Sequence, residues 1–396
     1  MAGSIPKLNS EVFKNRISRV RDHVEEHQAS LALFFSAKTI YYLTGFWHIP
    51  TERPIAVLVP REEEPIAFLP QLEITHWEHD VPWIPEISSY FEYPDTKHPM
   101  KILAATLEGR IKGDKRIGAD SKGAPSYWGY EGPLLSDLLS DWKFLDFKSI
   151  IPTMRIIKER LEIEFIKVSA KWGARAHHIL QDESAAGKTE WEIATKAITV
   201  ASKELLAAMP EIPTSTLAAY AGFRGQIGAG SALPHATFSN AVLSKGDVLV
   251  TGASADIAHY HSELERTMIV GEPSQKQSRY FEAMLDAQSA AIAAIKPGNT
   301  CADVDKASAG SFKENGFGHL IVHHTGHGIG LEGHESPFLD RGLETPLQPG
   351  MVLTVEPGIY ELGFGGFRHS DTVLVTTDGN EILTEYPREL EDLIVG

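Results

Sequence analysis

Nine of the 17 histidines lie between His235 and His369, whereas all seven tryptophans precede residue 192. Imidazole titrates near neutrality and offers a lone pair to metals, so a histidine-rich second half points to acid–base or ligand chemistry there. Four segments concentrate it. They are Ser231-Ala-Leu-Pro-His235; Gly246-Asp247 running on to His259-Tyr-His-Ser-Glu-Leu-Glu-Arg-Thr267; His323-His-Thr-Gly-His-Gly-Ile-Gly-Leu-Glu-Gly-His-Glu335; and Pro349 to Tyr360, followed by Gly365-Gly-Phe-Arg-His-Ser-Asp-Thr372. Glu263 and Glu265 stand two apart, so on a strand they face one side, and carboxylates that close repel until one pKa rises. Such a pair suits a base or a cation-binding site. His327 lies between two glycines, which let a backbone crowd a ligand. Glu356 precedes Pro357-Gly358, and Arg368 offers a fork that can clamp a carboxylate. The single cysteine, Cys301, excludes a disulfide framework and a cysteine-based zinc site within one chain, and reads as a small buried thiol. Gly222, Gly225, Gly228 and Gly230 lack the Lys-Ser/Thr of a phosphate loop.

Elements must position these groups. The spacing of Val12, Phe13, Ile17, Val20 and Val24 predicts a helix over 10–27, with Ser10 as its cap. Apolar runs Leu31–Phe35, Ile40–Leu43, Ile55–Val59, Ile66–Leu69 and Arg116–Ala119 read as strands of a buried sheet, and Tyr130 to Leu139 as a helix. Further on, Ile163, Ile166, Ala170 and Ala174 share one face of a long helix over Arg155 to Leu180. Helices follow over Thr189 to Leu206 and Gln277–Ile295, the latter stopped by Pro297-Gly298. Strand-like runs Val248–Val250, Thr267–Val270, Met351–Val355 and Thr372–Val375 lie between and after them. The pattern change near residue 153 marks a domain boundary. Mixed helices and strands on either side suggest an α+β protein.

A chain of 396 residues has room for two cores. Its net charge of −16 argues against binding nucleic acid or an anionic membrane through bulk charge. No apolar run is long enough for a membrane span, and the first residues hold no basic-then-apolar segment, so a cytoplasmic protein is expected.

The order and spacing of the four segments resemble the creatinase/prolidase/methionine aminopeptidase superfamily, the pita-bread hydrolases. Gly326-His-Gly-Ile-Gly-Leu-Glu together with Val355-Glu-Pro-Gly carries the resemblance most specifically. Tyr42-Leu-Thr-Gly-Phe46 resembles the first-domain motif of prolidases and aminopeptidase P, and Met154-Arg-Ile-Ile-Lys158 the start of their catalytic domain. The resemblance implies a ribonuclease-H-like α/β N-terminal domain over 1–153 and a pita-bread catalytic domain over 154–396, with a curved six-stranded sheet backed by helices. It also implies a homodimer whose first domain reaches over the partner's pocket, which makes Arg53 a candidate substrate contact.

Metal-dependent members hold two divalent ions with two Asp eleven residues apart, a His and two Glu. Carried over one at a time, these positions fall on Gly252, Glu263, His327, Glu356 and Ser370. Glycine and serine bring no carboxylate, and two dications need bridging carboxylates, so a dinuclear centre is not expected. Glu263, His327 and Glu356 remain for one divalent ion, Mn, Co or Zn. The chain also resembles creatinase, the metal-free branch, whose base is a histidine at the position of His235. The glutamate of creatinase at the position of Glu265 helps bind a substrate guanidinium. This resemblance implies a cofactor-free hydrolase of a C–N bond, amide or amidine, in a small amino-acid-like substrate. His235 would act as base, His327 and His334 would polarise the scissile group, and Glu265 with Glu356 or Glu263 would hold a nitrogen. Arg368 would fix a carboxylate, and His324 would line the pocket. Two alternatives stand beside it: an Xaa-Pro dipeptidase or aminopeptidase acting on a dipeptide with one residual metal, and a non-catalytic pseudo-peptidase module.

Overall fold

The computed structural model describes residues 8–123, 129–215 and 217–396. The chain forms two compact units, one ending at Met154 and the other beginning at Arg155. The first holds a six-stranded sheet in the order Ile87–Tyr90, Ile66–Pro70, Ala56–Pro60, Leu31–Phe34, Arg116–Ala119, Lys143–Asp146. Only Ala56–Pro60 runs against its companions. The Leu31–Phe34 and Ala56–Pro60 strands are buried at every position. Covered on both faces, they read as continuous apolar runs. The Ser10–Glu26 helix buries Phe13, Ile17, Val20 and Val24, as its spacing predicts. Its cap is Asn9, not Ser10: the Asn9 side chain accepts from the backbone of Glu11 and Val12.

Three expectations fail locally, each for a physical reason. Ile40–Leu43 is not a strand but part of the Ala37–Thr44 helix, closed by Gly45 at φ +85°. Its residues are buried on nearly all sides, so no polar face betrays the helical period. The helix expected over Tyr130 to Leu139 shrinks to Leu135–Leu138. Pro133 disfavours helical geometry before it, and Leu134 is extended. The long helix expected from Arg155 is cut in two, Ile150–Ile156 and Arg160–Glu183. Between them Ile157 bridges to Met351 and the Lys158 N–H donates to the Gly350 carbonyl. A capping box between Glu159 and Glu162 then restarts the helix. Apolar spacing runs through this break and hides it.

The second unit sets helices Arg160–Glu183, Glu190–Ala208, Gln275–Ala294 and Cys301–Glu314 with two sheets. One sheet has the order Ile394–Val395, Leu264–Val270, Val248–Ala255, Ala219–Gly222. The other has the order Glu335–Leu339, Gly326–Gly328, Val352–Val355, Asp371–Val375, Asn380–Ile382. A ribbon pairs Gly358–Glu361 with Gly365–Arg368. An antiparallel bridge between Glu265 and Ser370 joins the two sheets, so the curved surface is built from pieces. The Cys301–Glu314 helix is not anticipated by periodicity. Its buried side chains include the small Cys301 and Ser308, and its sequence signal is the Thr300–Asp303 capping box. Cys301 is buried, and burial pushes its thiol up to about 11, which fits a packing role. Among the described residues no helix is long and apolar enough to cross a membrane.

Beneath the junction of the two sheets, Arg266 spends all five N–H groups inside the protein. It donates to the carbonyls of Glu265, Ser370, Tyr386 and Pro387 and to Asp371 at 2.9 Å. Thr384 and Gln288 complete the Asp371 carboxylate. Strand alternation turns the neighbours of Arg266 and His369, namely Glu265 and Arg368, towards the other face.

Candidate active site

The floor of the site is a row across the strands: Gly222 pairs with Gly252, Gly252 with Glu265, and Glu265 with Ser370. The Glu263 backbone N–H donates to Thr372 Oγ1 at 2.8 Å, which fixes the residue ahead of its strand. Ser370 Oγ donates to Glu263 Oε1 at 2.7 Å. Burial, then the nearby Glu356 and Glu265, push the Glu263 carboxyl up to about 8. The rise that the two-residue spacing predicts therefore falls on Glu263. Burial would raise Glu265 as well, but Arg368 and Arg224 hold it down to about 2. Arg368 forks onto both its oxygens, and Arg224 Nη2 donates to Oε1. Glu265 thus holds the protein's own guanidiniums, where the creatinase resemblance implies a guanidinium of the substrate.

His327 owes its place to its glycines. A Cβ at Gly326 would lie 2.0 Å from the Thr354 carbonyl oxygen, and one at Gly328 2.4 Å from that of Ser336. The His327 N–H donates to Thr354 Oγ1 at 3.0 Å. Nδ1 faces the Gly328 carbonyl at 2.9 Å and so carries a proton, which leaves Nε2 towards Glu356 Oε1 at 3.1 Å. Burial disfavours the imidazolium, but Glu356 and Glu263 outweigh it and raise the pKa of His327. Glu356, which burial would raise, is instead held low by His327 and Arg368. The His334 ring stacks on that of His327, centroids 3.7 Å apart. Burial and the charge on His327 lower its pKa, so it stays neutral beside a cation. His334 is exposed, and its loop is tied down by the next residue, Glu335, whose buried carboxylate meets Lys158 at 2.8 Å and also Arg155.

His235 is exposed on the loop after Gly228–Ala232, close enough to His334 to depress it electrostatically. The preceding Pro234 carbonyl accepts from Arg368 and Gln226, both at 3.3 Å. His324 is half-buried, its ring edge-on to Phe338. His323 Nδ1 donates to the His324 carbonyl, so its Nε2 accepts from the Tyr360 hydroxyl, which itself accepts from Arg368 Nη1.

Two expected substrate contacts stand differently. Arg368 is buried, and its five N–H groups go to Glu265 (two), Pro234, Tyr360 and Gln226. No donor is left for a substrate carboxylate, so it serves here as a counter-ion. Arg53 lies in the first unit, locked onto Glu92 through two bonds and onto Glu52 at 2.7 Å. The sequence reading missed Arg224, Gln226 and Tyr360 as site residues. Tyr360 ends a quoted motif, but Arg224 and Gln226 sit outside every motif and meet the site only through strand register.

The donors do not suit a pair of metal ions. Gly252 has no side chain, and the Arg224 guanidinium stands 3.2 Å from where its Cβ would be. At the fifth position Ser370 is spent on Glu263. A cation thus fills space that a dinuclear site gives to an anion. The ligand atoms that do converge form two overlapping groups within 4.8 Å, Glu263–His327–His334 and Glu263–Glu265–Glu356. The expected trio of Glu263, His327 and Glu356 is divided between them.

Residues 16–157 match the creatinase/prolidase N-terminal domain, and residues 164–377 match metallopeptidase family M24. The chain is 30% identical over 387 residues to an Xaa-Pro dipeptidase of Pyrococcus horikoshii, covering 96% of this chain and 99% of the relative. It is 37% identical over 271 residues to the Xaa-Pro dipeptidase of Pyrococcus furiosus, covering 66% of this chain and 74% of that one. The crystal structure of the prolidase from Pyrococcus horikoshii matches with a TM-score of 0.80 at 28% identity, over 95% of this chain and 99% of the other. With both domains matched in order along nearly its whole length, the chain belongs to metallopeptidase family M24, as a hydrolase of the creatinase/prolidase/aminopeptidase P superfamily.

Proposed function

We propose that the protein hydrolyses the C–N bond of dipeptide-sized substrates, Xaa-Pro dipeptides first among them, without a dinuclear metal centre. The observation that supports this reading is a polar cluster of Glu263, His327, His334 and Glu356 set in a chain whose full-length relative is named an Xaa-Pro dipeptidase. His235, exposed beside His334, takes a proton from water. His327, kept cationic by Glu356, supplies fixed positive charge for a carbonyl oxygen that gains charge in the transition state. Neutral His334 stacks on His327 and can relay a proton towards the leaving nitrogen. Glu263, protonated near neutrality and hydrogen-bonded to Ser370, is a donor or acceptor without a fixed charge.

One observation favours a second reading: Glu263, His327 and His334 bring one ligand atom each within 4.8 Å, enough to hold a single divalent ion that would supply Lewis-acid polarisation. A homodimer and a cytoplasmic location complete the proposal.

The test is turnover of an Ala-Pro, Gly-Pro and Ala-Ala panel before and after exhaustive EDTA treatment. The main reading expects Xaa-Pro cleavage that survives EDTA and falls roughly 10²–10⁴-fold in kcat in His235→Ala. Loss with EDTA and recovery with Mn²⁺, Co²⁺ or Zn²⁺ selects the single-ion reading. No cleavage across the panel overturns both and returns the pseudo-peptidase module.

A further inference from the structure

Arg224 belongs to no motif of the chain, yet its surroundings are built to hold it. Its φ of +54° lies in the left-handed region, uncommon for a residue with a side chain. The turn is fixed on both sides. Phe223 is fully buried, and the Gly225 N–H donates to the buried Glu190 carboxylate at 2.7 Å. A Cβ at Gly225 would lie 2.0 Å from the Thr237 carbonyl oxygen, so the turn is pressed against that loop. Backbone held in a sparsely populated region persists where the surroundings over-determine it, and such places cluster at functional sites.

The Arg224 guanidinium rests against Gly252, and Gly222, in register with it on the next strand, leaves its space to Tyr220. The Tyr220 hydroxyl lies 2.7 Å from the Cβ position of Gly222, and the Arg224 guanidinium 3.2 Å from that of Gly252. One edge of the fork is pinned inward on Glu265, whose side chain is only 2% exposed, while the Arg224 side chain is 44% exposed. The contrast with Arg368 is one of donors. Arg368 has spent all five, whereas among the described residues Glu265 is the one hydrogen-bond partner of Arg224. A planar fork with unspent N–H groups at the edge of a pocket matches a carboxylate in a way that a point charge does not.

We infer that Arg224 anchors the carboxylate of the substrate, so that the pocket selects compact amides carrying a free acid over cationic or neutral ones. The inference rests on the proposed hydrolytic reading for the identity of the pocket, but its test does not require turnover. Binding of L-proline and of L-prolinamide would be measured by calorimetry on the full chain, in the wild type, Arg224→Gln and Arg224→Lys. Where Ala-Pro is cleaved, KM and kcat would be compared for Ala-Pro and Ala-Pro amide. The wild type should bind proline roughly 10–100-fold more tightly than prolinamide, the range of one lost charge-assisted pair. Arg224→Gln should abolish that preference, raising KM far more than it lowers kcat, and Arg224→Lys should restore part of it. Proline binding that requires Arg224 in a chain that cleaves no dipeptide keeps the anchor and removes the dipeptidase reading. An unchanged acid preference in Arg224→Gln overturns the anchor, as does a wild type that binds neither probe at millimolar concentration.

Discussion

At Glu265 one carboxylate answers two guanidiniums in a buried place. Replacing it by glutamine keeps the shape but takes from the 4%-exposed Arg368 side chain its hydrogen-bonded counter-charge, leaving only the more distant Glu356 at 3.9 Å. Breaking a buried pair from one side costs about 3–5 kcal/mol, so urea unfolding of Glu265→Gln should show a loss of that order, whereas Arg175→Gln, which breaks an exposed pair with Glu204, should lose less than about 1 kcal/mol. The same residue sets a pH dependence. Its folded pKa lies below its unfolded one, so its contribution is present above about 4.5 and fades as pH falls towards 2. Glu263 works in the opposite sense. Its folded pKa is raised to about 8, so the stability tied to its protonated form is full below about 4.5 and is lost as pH climbs through 8. Melting temperature measured against pH should accordingly flatten on its acid limb in Glu265→Gln and on its limb from pH 5 to 8 in Glu263→Gln. Unchanged profiles would show that neither carboxyl is shifted.

Among the elements, the Gly326–Gly328 strand has the least freedom. It packs between Val352–Val355 and Glu335–Leu339 with the Thr354 and Ser336 carbonyls directly over its glycines. An alanine at 326 must push Thr354 away, and Thr354 Oγ1 is what receives the His327 N–H. Gly326→Ala should therefore cost more than about 2 kcal/mol, an overpacking penalty, and should lower activity further than stability explains. Retained kcat with normal stability in Gly326→Ala would contradict this. The glycines around His327 are legible as a crowded backbone, and the shared face of Glu263 and Glu265 follows from strand period alone. The Ala37–Thr44 helix and the break at Ile157–Glu159 are not legible, because the first has no polar side and the second interrupts no periodicity. Arg224 escapes sequence reading for a different reason. What makes it a site residue is the register that sets Gly222 beside Gly252, and register is a property of paired strands.

Over 95% of its length the chain matches the prolidase from Pyrococcus horikoshii with a TM-score of 0.80, and its own pocket sets a guanidinium, that of Arg224, beside Gly252. Anions in the pocket are Glu265 and Glu356; Glu263 is neutral near pH 7, and Arg224, Arg368 and His327 are cations. Such a pocket already carries three positive charges against two negative, and adding two dications would leave still more positive charge without a partner. If the missing carboxylates are what keeps two ions out, restoring the donors should restore the ions. Gly252→Asp and Ser370→Glu combined with Arg224→Gly, which suits the left-handed turn, should take up about two equivalents of Mn²⁺ or Co²⁺ after equilibration and desalting. The unaltered protein, treated in parallel, should retain fewer than two. Mass-spectrometric metal analysis of both proteins decides it. Two tightly held ions in the unaltered chain would mean that Arg224 yields its place to a metal, and the charge balance drawn from the pocket would fail with it.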